Sequence, residues 1–234
     1  MAAAGCGANM LNGVLITHLH SDHITDLNDV ITSAWIATFA EQEPLQIVGP
    51  PGTKEVVDRL LHFLSFDIKY RIDHHEDLNE PPAVNVTEIE SGVVELKGDV
   101  KISTELTDHH PVGPTIAFRF DHGNDAVVVA GDTIPCAGLD KLCTGAKGLV
   151  HTVIRKDIIE SIPLQRLQDV CDYHSSVEEA SQTAERAGIE TLVFTHYVPA
   201  FPSGQEEEWE KIAAQHFSGR IELGDDLHRV EIGE

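Results

Sequence analysis

The chain lacks any apolar run near the ~18–20 residues that cross a bilayer, so no membrane span is expected. Its start, Met1-Ala-Ala-Ala-Gly-Cys-Gly, has neither a basic nor an apolar stretch, so no secretory leader is expected either. Four cysteines (Cys6, Cys136, Cys143, Cys171) stand far apart without a CxxC pair. That spacing excludes a disulfide scaffold or a thiolate metal framework and reads as reduced thiols in a cytoplasmic protein. Basic residues are scarce: 16 Lys and Arg face 39 Asp and Glu, for a net charge of −23. Proteins that hold polyanions present clustered Lys and Arg. None is clustered here, so the long-range field opposes nucleic acid and favours solubility, although a bound metal can reverse the sign locally.

What is present is a chain of 234 residues, 41% hydrophobic, enough for one packed domain over residues 1–234. No repeat or linker divides it. Its 14 histidines gather where short apolar runs end.

Gly13-Val14-Leu15-Ile16-Thr17 reads as a buried strand that leads into a histidine cluster. A helical pattern follows to about Ala40, then a strand over 45–48 ended by Gly49-Pro50-Pro51-Gly52. Thr53 reads as the N-cap of a helix over about 54–64, with Glu55 in its first turn. Segments near 68–72, 84–89, 93–96 and 100–106 alternate apolar and polar residues, as strands with one exposed face do. Residues 115–120 and 126–130 predict a hairpin whose second strand runs into Gly131-Asp132-Thr133. Ser175-x-x-Glu178 has capping-box spacing for a helix closed by Gly188, and residues 190–195 predict a strand ending at His196. The alternation argues for a layered α/β protein.

His18-x-His20-x-Asp22-His23 packs three imidazoles and a carboxylate into six residues at a strand end. In an extended segment His18, His20 and Asp22 would share one side, with His23 turning off it. Imidazole and carboxylate are the ligand set of zinc and related ions, and burying four such groups is costly unless a cation compensates.

Thr17-His18-Leu19-His20-Ser21-Asp22-His23-Ile24 with Asp26-Leu27 resembles the signature of the metallo-β-lactamase superfamily. It is most similar to the branch of tRNase Z and the metallo-β-lactamase-type arylsulfatases. The likeness continues in Ile47-Val48-Gly49-Pro50-Pro51-Gly52-Thr53, Asp108-His109-His110-Pro111-Val112, Gly131-Asp132-Thr133 and Thr195-His196-Tyr197-Val198-Pro199. These blocks keep the family's order over about residues 5–202. The resemblance implies a four-layer αβ/βα sandwich, here expected without the first amino-terminal strands, because His18 follows only 17 residues. An open sheet edge near residues 14–17 and a homodimer are the corresponding expectations.

The resemblance also implies two divalent metals, zinc first. His18, His20 and His109 (with His110 as the alternative) would hold one, Asp22, His23 and His196 the other, and Asp132 would bridge them. Asp22 and His174 are the implied catalytic groups, the latter from the block Tyr173-His174-Ser175-Ser176-Val177-Glu178-Glu179-Ala180. His74, His75, His122, His151, His216 and His228 lack such context and are read as surface residues. The expected activity is hydrolysis of an ester bond by a metal-bridging hydroxide, with a small anionic ester as substrate, as in a phosphodiesterase or arylsulfatase. Alternatives are tRNA 3′ processing, a lactonase or β-lactamase, and an inactive metal-binding paralogue. Transfer RNA is disfavoured by the charge and by the five residues 121–125, where the family's bacterial short forms insert a tRNA-gripping arm.

Overall fold

A computed structural model describes residues 2–39, 43–200 and 204–233. By their contacts they form two compact units, Met1–Ile89 with Leu96–Gly98, and Glu90–Glu95 with Asp99–Glu234. Both mix helices and strands, as the alternating sequence predicts. Among the described residues no helix is long and apolar enough to cross a membrane.

The first unit holds β1 (Val14–Leu15), α1 (Ser21–Ile24), α2 (Leu27–Ile36), β2 (Leu45–Gly49), α3 (Thr53–Phe63), α4 (Ser65–His74) and β3 (Val84–Glu88). Its three strands are parallel in the order β1-β2-β3, so β1 pairs on one side, with β2. Leu27, Ile31 and Ala34 recur on one face of α2 and join Ile16, Ile47 and Val57 in the core. This helix ends at Ile36, capped at Ala37, short of the end near Ala40 that the sequence suggests.

Two expectations need correction here. The cap of α3 is Gly52, not Thr53: Gly52 adopts φ 102°, which favours glycine, and the Thr53 hydroxyl donates to Pro50 O at 2.7 Å. Glu88, from β3, takes the capping role, its carboxylate accepting from the N–H groups of Gly52 (2.8 Å) and Lys54 (2.9 Å). Residues 68–72 are not a strand but belong to α4. Asp67–Arg71 and Lys69–Asp73 are i,i+4 ion pairs, which support a helix and have no counterpart in a strand.

The second unit contains β4 (Gly92–Val94), β5 (Lys101–His109), β6 (Val112–His122), β7 (Asp125–Val129), α5 (Ala137–Cys143), β8 (Gly148–Ile154), α6 (Lys156–Glu160), α7 (Gln165–Gln168), α8 (Val177–Ala187), β9 (Thr191–Val198), α9 (Glu206–Ala213) and β10 (Arg220–Leu223). The strands form one seven-stranded sheet, β10-β9-β8-β7-β6-β5-β4. It is antiparallel from β4 to β7 and parallel from β7 to β10. Parallel neighbours need crossovers, which α5, α8 and α9 provide. α8 lays Val177, Ala180 and Ala184 against Leu149, Val153, Leu192 and Phe194, with Trp209 and Ala213 of α9 closing the cluster.

The capping box of α8 falls one residue later than the sequence suggests. Ser176 Oγ accepts from Glu179 N–H, and the Glu179 carboxylate accepts from Ser176 N–H. Ser175 is thereby free to donate its hydroxyl to Thr133 O at 2.7 Å. Gly188 ends the helix at φ 69° as expected.

Candidate metal centre

In the second unit, three imidazoles converge on one carboxylate. Asp132 is 2% exposed, and its Oδ2 lies 3.3 Å from His174 Nε2, 3.9 Å from His109 Nε2 and 3.9 Å from His196 Nε2. Each group arrives from a different element: His109 from the end of β5, Asp132 just after β7, His174 before α8 and His196 within β9.

Backbone contacts hold this arrangement. The N–H of Asp108 donates to Thr133 Oγ1 at 3.1 Å, and the N–H of Ile134 donates to Asp108 O at 2.8 Å. These tie the Asp132 loop to the end of β5. Ser175 donates to Thr133 O through both its N–H and its hydroxyl, tying the His174 loop to the same place. His109 Nδ1 sits 2.7 Å from Tyr173 O and His174 Nδ1 sits 3.0 Å from Val170 O. A carbonyl only accepts, so both Nδ1 atoms carry a proton and both rings turn Nε2 toward Asp132.

His196 is set by a β-bulge. Thr152 pairs with Thr195 and Ile154 with Val198, so His196 and Tyr197 together face the single residue Val153. His196 takes φ 51° there, an unusual conformation for a residue with a side chain and one that marks functional positions. Of the two adjacent histidines, His109 is buried at 1% and His110 is exposed.

The first unit carries the other motif. His18 is fully buried, its Nε2 is 3.1 Å from His20 Nδ1, and its ring centroid lies 4.1 Å from that of His23. His23 Nε2 is 3.6 Å from Asp22 Oδ2. The expectation of an extended segment holds only to His20. Ser21 opens α1, so Asp22 sits on a helical turn with a side chain 62% exposed.

Two donors on one tetrahedral ion with bonds of ~2.0–2.2 Å lie roughly 3–4 Å apart. The separations within each unit match that range, and the donors are nitrogen and carboxylate oxygen only. The residues therefore suit a divalent ion of the zinc kind.

The sequence reading misplaces His151. It is fully buried in β8 between Leu149 and Val153, not at the surface, because period-2 alternation turns it to the α8 side of the sheet. Its Nδ1–H donates to Thr152 O at 2.7 Å, and its Nε2 has no hydrogen-bond partner among the described residues. Burial pushes its pKa down from 6.5 to about 4. The folded chain thus disfavours the protonated ring, and the unfolded chain binds the proton first. The stability due to neutral His151 is complete above pH 6.5 and is lost as pH falls toward 4. About 2–3 kcal/mol is at stake over that window. Urea midpoints at pH 7 and pH 4.5 check this: wild type is expected to lose that much more stability than His151→Leu. Equal losses would refute it.

Comparison with known proteins gives three findings. A family model described as Beta-lactamase superfamily domain matches residues 4–197. A Ribonuclease Z of Mycolicibacterium paratuberculosis is 60% identical over 99% of this chain and 83% of its own length. One from Mycolicibacterium gilvum is 56% identical over 99% of this chain and 81% of its own length. Among solved structures, the metallo-beta-lactamase fold protein YhfI from Bacillus subtilis superposes at TM-score 0.67, with 19% identity over 93% of this chain and 76% of that one. The short form of human tRNase Z gives TM-score 0.66, with 17% identity over 97% of this chain and 81% of that one. At such identities the two structures speak for the fold.

Proposed function

Because the chain belongs to the beta-lactamase superfamily of metal-dependent hydrolases, we propose that it is an endoribonuclease of the Ribonuclease Z kind, cutting precursor tRNA at the 3′ end. One observation carries this reading: 56–60% identity, across nearly the whole chain, to proteins named Ribonuclease Z. It outweighs the net charge and the short 121–125 connection, which disfavour tRNA. Residues 1–234 act as one catalytic domain on this reading.

The metal assignment is part of the proposal. His18, His20 and His109 would hold one ion, Asp22, His23 and His196 the other, and Asp132 would serve both. Its support is the order of the motifs and the donor chemistry within each unit. Zinc is the proposed ion, on the nitrogen-rich donor set. Two such ions, when bound, polarise the phosphodiester and lower the pKa of water at the site. The chain's own groups do the rest. His174, held by Val170 O, presents Nε2 to the substrate oxygens beside Asp132. Asp22, with its exposed carboxylate, accepts and returns a proton.

A second reading, a phosphodiesterase for small anionic esters, has one observation in its favour. β6 and β7 are joined by a turn of two residues, 123–124, so no tRNA-gripping arm stands between them. One assay separates the two. The zinc-loaded chain is given a precursor tRNA and an aryl phosphodiester at the same low salt. Cleavage at the 3′ end of the tRNA with the higher kcat/KM is expected. Turnover of the aryl ester alone would move the second reading to first place.

A further inference from the structure

We propose that the Tyr173 hydroxyl is a further catalytic group, donating a hydrogen bond to a non-bridging oxygen of the scissile phosphodiester. The inference rests on the reading of this centre as one that cuts precursor tRNA.

Tyr173 follows a short 3-10 helix, Asp169–Asp172, and directly precedes His174. Its carbonyl accepts the Nδ1 proton of His109 at 2.7 Å. Its ring stands edge-on to that of His109, with centroids 5.1 Å apart, and lies tilted against His174 at 4.8 Å. Both imidazoles are buried, whereas Tyr173 is half-buried. The phenol is thus the solvent-side member of a three-ring cluster that includes two of the groups converging on Asp132.

A tyrosine hydroxyl set among other side chains normally finds a partner. That of Tyr197 does, shared between Phe194 O at 2.8 Å and Gly224 O at 3.1 Å. Thr133 and Ser175 likewise direct their hydroxyls to backbone carbonyls. The Tyr173 hydroxyl makes no hydrogen bond among the described residues. Its ring is already fixed by two neighbours, so engaging this donor orders little that is not ordered before substrate arrives.

The reaction calls for such a donor. In phosphoryl transfer charge spreads over the non-bridging oxygens, and donors fixed beside them lower the barrier. None of the blocks 108–112, 131–133, 173–180 and 195–199 contains Lys or Arg. A neutral hydroxyl is what these loops offer instead, and a phenol keeps its proton at neutral pH.

The test compares the full, zinc-loaded chain with Tyr173→Phe, which keeps the ring and loses only the hydroxyl. Precursor tRNA is the substrate, with oxygen or a single sulfur at each non-bridging position of the cleaved linkage. Tyr173→Phe is expected to lower kcat about 10–100-fold, with KM changed less. Sulfur accepts hydrogen bonds poorly. In one of its two configurations it should therefore slow wild type about tenfold more than Tyr173→Phe, which has no such bond to lose. Zinc content and melting temperature of the variant should match wild type. An unchanged kcat overturns the proposal, and so does an equal sulfur effect in the two proteins. A fall in kcat that comes with lost zinc overturns it too, by making Tyr173 a support for His109. Absence of cleavage by wild type would overturn the tRNA reading itself, and this inference with it.

Discussion

Asp132→Ala is expected to leave fewer than two metals per chain and to lower kcat beyond the ~10–100-fold that follows loss of a group standing behind metal ligands. Asp132 is at once buried and the point on which His109, His174 and His196 converge. On the proposed assignment, removing it takes away a ligand and the carboxylate on which those imidazoles converge. Because metal binding contributes to folding free energy, the variant should also melt lower, and its melting temperature should respond less to added zinc than that of wild type. Asp132→Asn separates the causes. It keeps the shape of the loop held by Asp108, Thr133 and Ser175 but removes the charge, so a fall in metal content there belongs to the carboxylate and not to a disturbed backbone. Elemental analysis with thermal melting checks both variants. Two metals per chain in Asp132→Ala would remove Asp132 from the ligand set.

Much of this centre was legible because its chemistry is concentrated. Four ligand-type residues in six, followed by three isolated blocks each at the end of an apolar run, leave few other meanings. The hairpin of β6 and β7 was legible for a similar reason: two β-branched runs separated by a short polar stretch containing Gly123 and Asn124. What escaped depended on contacts distant in the chain. Glu88 caps a helix more than thirty residues before it, and no local pattern announces that. α4 escaped because Phe66, Ile68, Tyr70 and Ile72 alternate with polar residues while no residue of the helix is buried, so neither period was enforced by a core. Ser175 and Ser176 each precede a glutamate by three residues, and only the demand of Thr133 O for a donor decides between them. His151 was misread because one imidazole in a strand of valine and leucine looked like an isolated polar residue, whereas its neighbours Leu149 and Val153 share its buried face.

His174→Ala is expected to separate catalysis from metal binding. By distance His174 stands with His109 and His196 around Asp132, yet the proposed assignment gives it no metal. The variant should therefore keep both ions in excess zinc, while kcat falls by roughly 10²–10⁴-fold, the range for loss of a positioned acid or base. The His174 Nδ1–H is committed to Val170 O, which leaves Nε2 toward Asp132. Truncation removes that contact, the bond to Val170 O and the packing of the ring against His109 and Tyr173, while the loop stays tied through Ser175 and Thr133. KM should change less than kcat, because a group acting mainly as charge moves between oxygens lowers the barrier more than it strengthens ground-state binding. His174→Gln places an amide near the same spot and is expected to recover part of the binding but not the rate, having no proton to give up at neutral pH. Metal analysis and steady-state kinetics on one preparation decide the matter. Loss of an ion from His174→Ala would make His174 a ligand, and an unchanged kcat would reduce it to a structural residue before α8.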